Sequence, residues 1–264
     1  MTDISNKVAW VTGASSGIGE ALAYELSKQG AKVIISARRK ETLEKVRAKC
    51  NNPEMVVVLP LDLAAIDTFS DQVVKAHEIF GSIDILFNNG GISQRGMALD
   101  TPLSVDRQIM EIDYFGTIAL TKAVLPYMVA QKSGHVATTS SLVGKFGSPW
   151  RSSYAAAKHA LHGFFDSIRT ELYADNIKFT LLCPGFIKTD VSVNALGADG
   201  KATGEMDDAQ ANGMSAEACA KKMIAAVKHE RLEVVIGGTE RFGVILKRFL
   251  PNIFAKVIRN RSVR

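Results

Sequence analysis

Thr12-Gly13-Ala14-Ser15-Ser16-Gly17-Ile18-Gly19 follows directly on the apolar run Val8–Val11 and opens into the amphipathic stretch Glu20–Gln29. Strand, glycine turn and helix in that order make the first half of a βαβ unit. The glycines permit a turn too tight for side chains, and they leave the first amides of the helix facing the concave side. Together with the helix dipole, those amides make a seat for a phosphate. Gly13, Ser15, Ser16, Gly17, Ile18 and Gly19 are therefore candidate ligands of a dinucleotide pyrophosphate. A plain tight turn would account for the glycines but not for their position between the first strand and the first helix.

Outward from this turn the same rhythm continues. Val33–Ser36, Val56–Leu59, Ile83–Phe87, His135–Thr139, Phe179–Cys183 and Val234–Ile236 read as further strands, with helical patterns between them. They are continuous apolar runs rather than alternations, as expected of a parallel sheet covered on both faces. The predicted fold is α/β: a single doubly wound parallel sheet, a Rossmann fold, with helices on both faces. Gly30 stops the first helix, and Thr101-Pro102 introduces one near Leu103. Residues 1–240 form the expected catalytic domain. Within it, 191–214 is rich in Gly, Ala, Asp and Asn and too long for an ordinary connection, which suggests a mobile lid over a substrate.

The end of the second strand reads Ile35-Ser36-Ala37-Arg38-Arg39. An acid there would bind a ribose 2′-hydroxyl, whereas two guanidinium groups suit a 2′-phosphate, so Arg38 and Arg39 favour NADP(H) over NAD(H). The alternative is that both arginines merely cap a solvated strand end. Further on, Tyr154 and Lys158 stand one helical turn apart in Ser152-Ser153-Tyr154-Ala155-Ala156-Ala157-Lys158. A phenol is a poor acid or base at neutral pH unless a neighbouring cation stabilises its phenolate. Ser141, thirteen residues before Tyr154 at a strand end, could hold a carbonyl oxygen while Tyr154 protonates it.

These motifs, in this order, resemble the short-chain dehydrogenase/reductase family over nearly the whole chain to about residue 240. Thr12–Gly19 is similar to its TGxxxGxG turn, Asp62-Leu63 to its adenine-side acid, and Asn88-Asn89-Gly90-Gly91 to its NNAG element. Ser141 with Tyr154 and Lys158 resembles its catalytic set, and Pro184-Gly185 with Thr189 its nicotinamide-side loop. The resemblance implies that Asp62 contacts the adenine amine, that Asn89 braces the sheet beside the cofactor, and that Lys158 also binds the nicotinamide ribose. It further implies that Ile187 and Thr189 touch the carboxamide. Two departures stand out. NNGG replaces NNAG, bringing Gly90 and Gly91 together, and Asp113 occupies the place of an asparagine that helps hold a water bridging the lysine to solvent. Asp113 remains a candidate for that relay, but its charge works against the phenolate, so a higher pH optimum is expected.

Ile92, Val143, Trp150, Phe186, Val191 and Leu196 suggest an apolar pocket, suited to a hydrophobic ketone, aldehyde or alcohol. The resemblance is greatest to members acting on steroids, retinoids and other lipid-like carbonyls. His159, His162 and Ser140 are read as packing residues. Cys50, Cys183 and Cys219 have no ligand spacing, so no metal is expected. The seven cations and no acids of 241–264 exceed the whole-chain charge of +5, leaving −2 for the rest. Nucleic-acid binding is therefore not expected.

The tail itself forms two short amphipathic pieces divided by Pro251. They could lie on an anionic membrane, or pack on the body or on a partner subunit. The expected compartment is the cytoplasm, with membrane association open, since no signal sequence or spanning run is read. The family resemblance implies a homodimer or homotetramer through Leu103–Ala130 and Ser153–Tyr173. Rival readings are a nucleotide-sensing scaffold, favoured only by Asp113, and a 3-oxoacyl thioester reductase, which would need a basic patch on the body.

Overall fold

The computed structural model describes residues 3–259. The chain runs β1 (Val8–Thr12), α1 (Gly17–Lys28), β2 (Lys32–Ser36), α2 (Lys40–Ala48), β3 (Val56–Val58), α3 (Phe69–Phe80), β4 (Ile85–Asn88) and α4 (Leu103–Met110). It continues through α5 (Thr117–Gln131), β5 (Gly134–Thr139), α6 (Ser152–Glu171), β6 (Ile177–Pro184) and β7 (Ile187–Lys188). After the one-turn α7 (Asp208–Ala211) come β8 (Met214–Ser215), α8 (Ala216–Lys228), β9 (Glu233–Ile236), α9 (Phe242–Phe249) and α10 (Pro251–Arg259).

Among the described residues, seven strands form one parallel sheet in the order β3-β2-β1-β4-β5-β6-β9, while β7 and β8 make a separate parallel pair. All seven predicted strands are present, with ends moved by a residue or two. Ile83 falls before β4, where its N–H meets the Gln131 side chain instead of the ladder. Packing makes the doubly wound arrangement: Leu22 and Leu26 of α1 and Met223 and Ile224 of α8 cover one face, and Val73, Val124, Leu161 and Phe165 of α3, α5 and α6 cover the other. Each such side chain stabilises the fold by about 1.5–3 kcal/mol when fully buried. Strand order reverses between β1 and β4, which opens a crevice at the carboxyl ends of the strands.

Three features depend on long-range packing. Glu111–Gly116, joining α4 to α5, is a π-helical turn, and it carries Asp113 inward to full burial. Segment 191–214 is tied to the body at two points: Leu196 exchanges backbone hydrogen bonds with Ser93 and Arg95, and Asp207 pairs with Arg95 and Arg151. The tail packs on the body, with Phe254 against Phe146 at a ring separation of 4.9 Å and Leu142, Val244, Leu246 and Ile258 around them. Arg261 and Arg264, counted in the tail's charge, lie outside the described residues.

Candidate active site

A cavity of about 760 Å³ occupies the crevice. One end is the glycine turn, where Gly13, Ser15, Ser16, Gly17 and Ile18 line it together with Arg38, Asp62 and Leu63. Gly13 sits at φ +66°, and a Cβ there would come within 2.6 Å of the Gly90 backbone, so a side chain at Gly13 would force the turn and the NNGG element apart. Ser16 precedes α1 without using its side chain as a cap, which leaves the amides of a twelve-residue helix open toward the cavity. A diphosphate fits this donor set. Arg39 stands one residue beyond Arg38, exposed at the start of α2, and is not among the lining residues.

The other end gathers the predicted reactive groups. Ser141 follows β5 and Tyr154 and Lys158 descend from the start of α6, all three lining the cavity. Ser141 Oγ donates to the Pro184 carbonyl at 3.4 Å and accepts the Val143 N–H at 3.3 Å. Lys158, buried, lies 5.5 Å from the Tyr154 ring centre, and its Nζ donates to the Thr139 carbonyl at 3.2 Å. Asp113 Oδ2 stands 3.2 Å from the same Nζ, and its Oδ1 accepts the Ile92 N–H at 2.7 Å. Burial by itself would lower the Lys158 ammonium, but Asp113 and then Tyr154 outweigh it, and its pKa stands above the usual lysine value. A Cβ on Gly91 would stand 3.0 Å from Asp113 Oδ1, so a side chain there would press on this pair. Asp113 therefore touches the lysine directly.

Asn89 ties β4 to β1 and β5: its backbone and side-chain N–H groups meet Thr12 at 3.0 and 3.3 Å, and Thr139 Oγ1 donates to its Oδ1 at 3.4 Å. Gly185, Pro184, Ile187 and Thr189 all line the cavity. Of the predicted pocket residues, Ile92, Val143, Phe186 and Val191 are there, but Trp150 and Leu196 are not. Pairing of Leu196 with residues 93 and 95 turns its side chain into a cluster with Val105, Ile109 and Ala157. Trp150, at φ +68°, faces a second, shallower depression.

The sequence concealed several supports. Gln94, fully buried, accepts the N–H groups of Ser153 and Tyr154 at 2.9 and 3.4 Å and so caps the helix that carries the tyrosine. We expect Gln94→Leu to cost about 1–2 kcal/mol in chemical denaturation, as loss of a helix cap does. Asp207 takes Arg95 Nε at 2.8 Å and Arg151 Nη2 at 3.1 Å, fastening 191–214 to the residue just before α6. Behind Ser141, Ser140 bonds the Lys158 carbonyl at 3.2 Å and His162 Nε2 at 2.9 Å. His162 Nδ1 lies 3.3 Å from Glu233, which Lys145 also holds at 2.8 Å. Cys183 joins this group, close enough together to suit a cation, but burial and the Glu233 charge push its thiol up to about 12. Glu240, beyond any motif, accepts the Phe186 and Gly238 amides and shapes the loop after β6. Only long-range pairing signals such roles, since Gln94 and Asp207 lie 59 and 56 residues from their partners at 153 and 151.

The family model for short chain dehydrogenase matches residues 7–198. This chain belongs to the short-chain dehydrogenase family. A dehydrogenase/reductase SDR family protein 7-like of Anopheles gambiae is 43% identical over 98% of this short-chain dehydrogenase and 84% of its own length. A dehydrogenase/reductase SDR family member 7B of Mus musculus is 38% identical over 98% and 82%. Among solved structures, a short-chain dehydrogenase from Streptomyces avermitilis superimposes with a TM-score of 0.80 at 26% identity, covering 97% of this dehydrogenase and 96% of that chain. The fold is shared at 20% identity with a Burkholderia phymatum enzyme in complex with NAD, at TM-score 0.82 over 100% and 98% of the two chains. The short-chain dehydrogenase described here is thus an oxidoreductase of a family that uses a nicotinamide cofactor.

Proposed function

We propose that this dehydrogenase is NADP(H)-dependent and moves a hydride between the nicotinamide and the carbonyl or secondary alcohol of a hydrophobic, lipid- or steroid-like substrate. The observation that carries this reading is the meeting, in one cavity, of an uncapped helix N-terminus at one end and Ser141, Tyr154 and Lys158 at the other. The bound nicotinamide supplies the hydride that the carbonyl carbon receives. Amides of the glycine turn would hold the pyrophosphate, Arg38 with Arg39 the 2′-phosphate, and Asp62 with Leu63 the adenine. Asn89 with Gly90 and Gly91 would back the cofactor, Lys158 would hold the ribose, and Pro184, Gly185, Ile187 and Thr189 would border the carboxamide.

Within the chain, Ser141 Oγ donates a hydrogen bond to the substrate oxygen, and Tyr154 Oη gives that oxygen its proton as the carbon is reduced. The phenolate left behind is stabilised by the Lys158 ammonium, whose charge Asp113 maintains. Oxidation of the alcohol reverses each transfer. The apolar lining supports the substrate class, because Phe146 and Phe186 from the body are joined by Leu246, Phe249 and Phe254 from the tail. Segment 191–214 is proposed as the substrate lid, since Val191, Asn194, Ala209 and Gln210 border the cavity. Assembly as a homodimer or homotetramer is proposed through the α4–α5 and α6 faces, where Leu103 and Phe115 are exposed.

Oxidation of NADPH and NADH against a panel of hydrophobic ketones and aldehydes tests this reading. Turnover with NADPH is expected, whereas tight NADPH binding without turnover on any carbonyl would shift the case to a sensing protein. Arg38→Ala should weaken NADPH binding about 10- to 100-fold, the strength of a charge-assisted bond, and leave NADH binding near its starting value. Fluorescence titration of both nucleotides reads this, and equal losses for the two would argue against recognition of the 2′-phosphate.

A further inference from the structure

The two tail helices bury one side and bare the other. Phe254 and Ile258 of α10 and Leu246 of α9 lie against the body, whereas Phe242, Ile245 and Phe249, then Leu250, Ile253 and Val257, are 43–72% exposed. Each trio repeats at i, i+3 and i+7, which places it on one helical face. Among the described residues, six of the fifteen large exposed hydrophobic residues thus fall within sixteen positions, a patch rather than the usual scatter. Five of the six, all but Ile253, also line the cavity, so the patch is the rim of its mouth.

Charge follows the same stripe. Exposed Arg241, Arg248 and Lys256 each stand one position before a stripe residue, and no acid occurs from 241 to 264. We infer that this rim seats the protein on an anionic lipid bilayer, with the cavity mouth against the acyl chains and the cations among the headgroups. Among the described residues neither helix exceeds nine residues, too few to cross a bilayer, so the pair is placed in the interface. A second copy docked stripe to stripe would oppose two acid-free rows of cations, which anionic headgroups neutralise instead. An apolar substrate dissolved in the bilayer would reach Tyr154 without passing through water.

The inference extends the lipid-like substrate reading, but its test does not depend on turnover, so either can fail alone. Full-length protein is sedimented with phosphatidylcholine vesicles, alone or with roughly a third phosphatidylserine. Binding to the anionic vesicles is expected, weakening as salt rises, with little binding to the neutral ones. The double variant Phe249→Glu with Ile253→Glu should abolish it. Arg248→Gln with Lys256→Gln, at exposed positions that leave packing intact, should weaken it roughly 30-fold at about 1 kcal/mol per cation. Equal binding to neutral and anionic vesicles, no binding to either, or no loss in the cation variant would overturn the proposal. So would light scattering that shows a dimer broken by Phe249→Glu.

Discussion

Replacing Tyr154 with Phe lowers kcat by about 10²- to 10⁴-fold, the contribution of one positioned proton donor, while binding of the nicotinamide nucleotide and the thermal midpoint stay close to those of the native protein. The ring itself packs against Val105, Ile109 and Ala157, and Phe keeps those contacts, so only the hydroxyl is removed. Its removal takes away the group that would protonate a carbonyl oxygen and leaves Lys158 with its Asp113 partner undisturbed. Single-turnover measurement of hydride transfer with saturating NADPH is the direct check. Retention of more than about a tenth of the native rate would assign the proton to another donor, Ser141 or water.

The second large effect concerns Asp113. Asp113→Leu strands the Lys158 ammonium in a buried site, and loss of one partner from a buried pair costs about 3–5 kcal/mol, or roughly 10 °C in thermal midpoint for a chain of this size. Asp113→Asn keeps the shape and the bond to the Ile92 amide but removes the negative charge. Lys158 then loses the contact that raises its pKa, and the phenolate beside it loses an opposing anion. Loss of that anion favours the phenolate while the Lys158 ammonium persists, so the pH–rate profile shifts to lower pH. Calorimetry on Asp113→Leu and pH–rate profiles on Asp113→Asn separate the two roles. An unmoved profile would show that Asp113 serves packing alone.

Where sequence reading succeeded, the information was local. The seven strands were legible because a parallel sheet covered on both faces demands continuous apolar runs, and the glycine turn because its three glycines must sit between strand and helix. Tyr154 and Lys158 are one turn apart on one helix, so their shared face needs no tertiary information. Failures came where partners are remote. The hydrophobicity of Leu196 suggests a place in the pocket, yet backbone pairing with residues 93 and 95 turns it away. The composition of segment 191–214 does not show what anchors it, because the two arginines that grip Asp207 lie far from it along the chain.

The chain's own order of residues therefore determined the doubly wound sheet, the glycine turn between β1 and α1, and the placing of Tyr154 and Lys158 on one helix face, since each is written in short-range pattern. Only the tertiary structure decided that Asp113 touches Lys158 directly, because a π-helical turn with no sequence signature brings it there. It alone showed that Gln94 caps the helix of Tyr154, a bond between positions 59 residues apart. It alone made the tail a wall of the cavity, because burial of Phe254 on Phe146 depends on where α10 meets the loop after β5, and amphipathic periodicity tells which side of a helix is apolar but not what that side will touch.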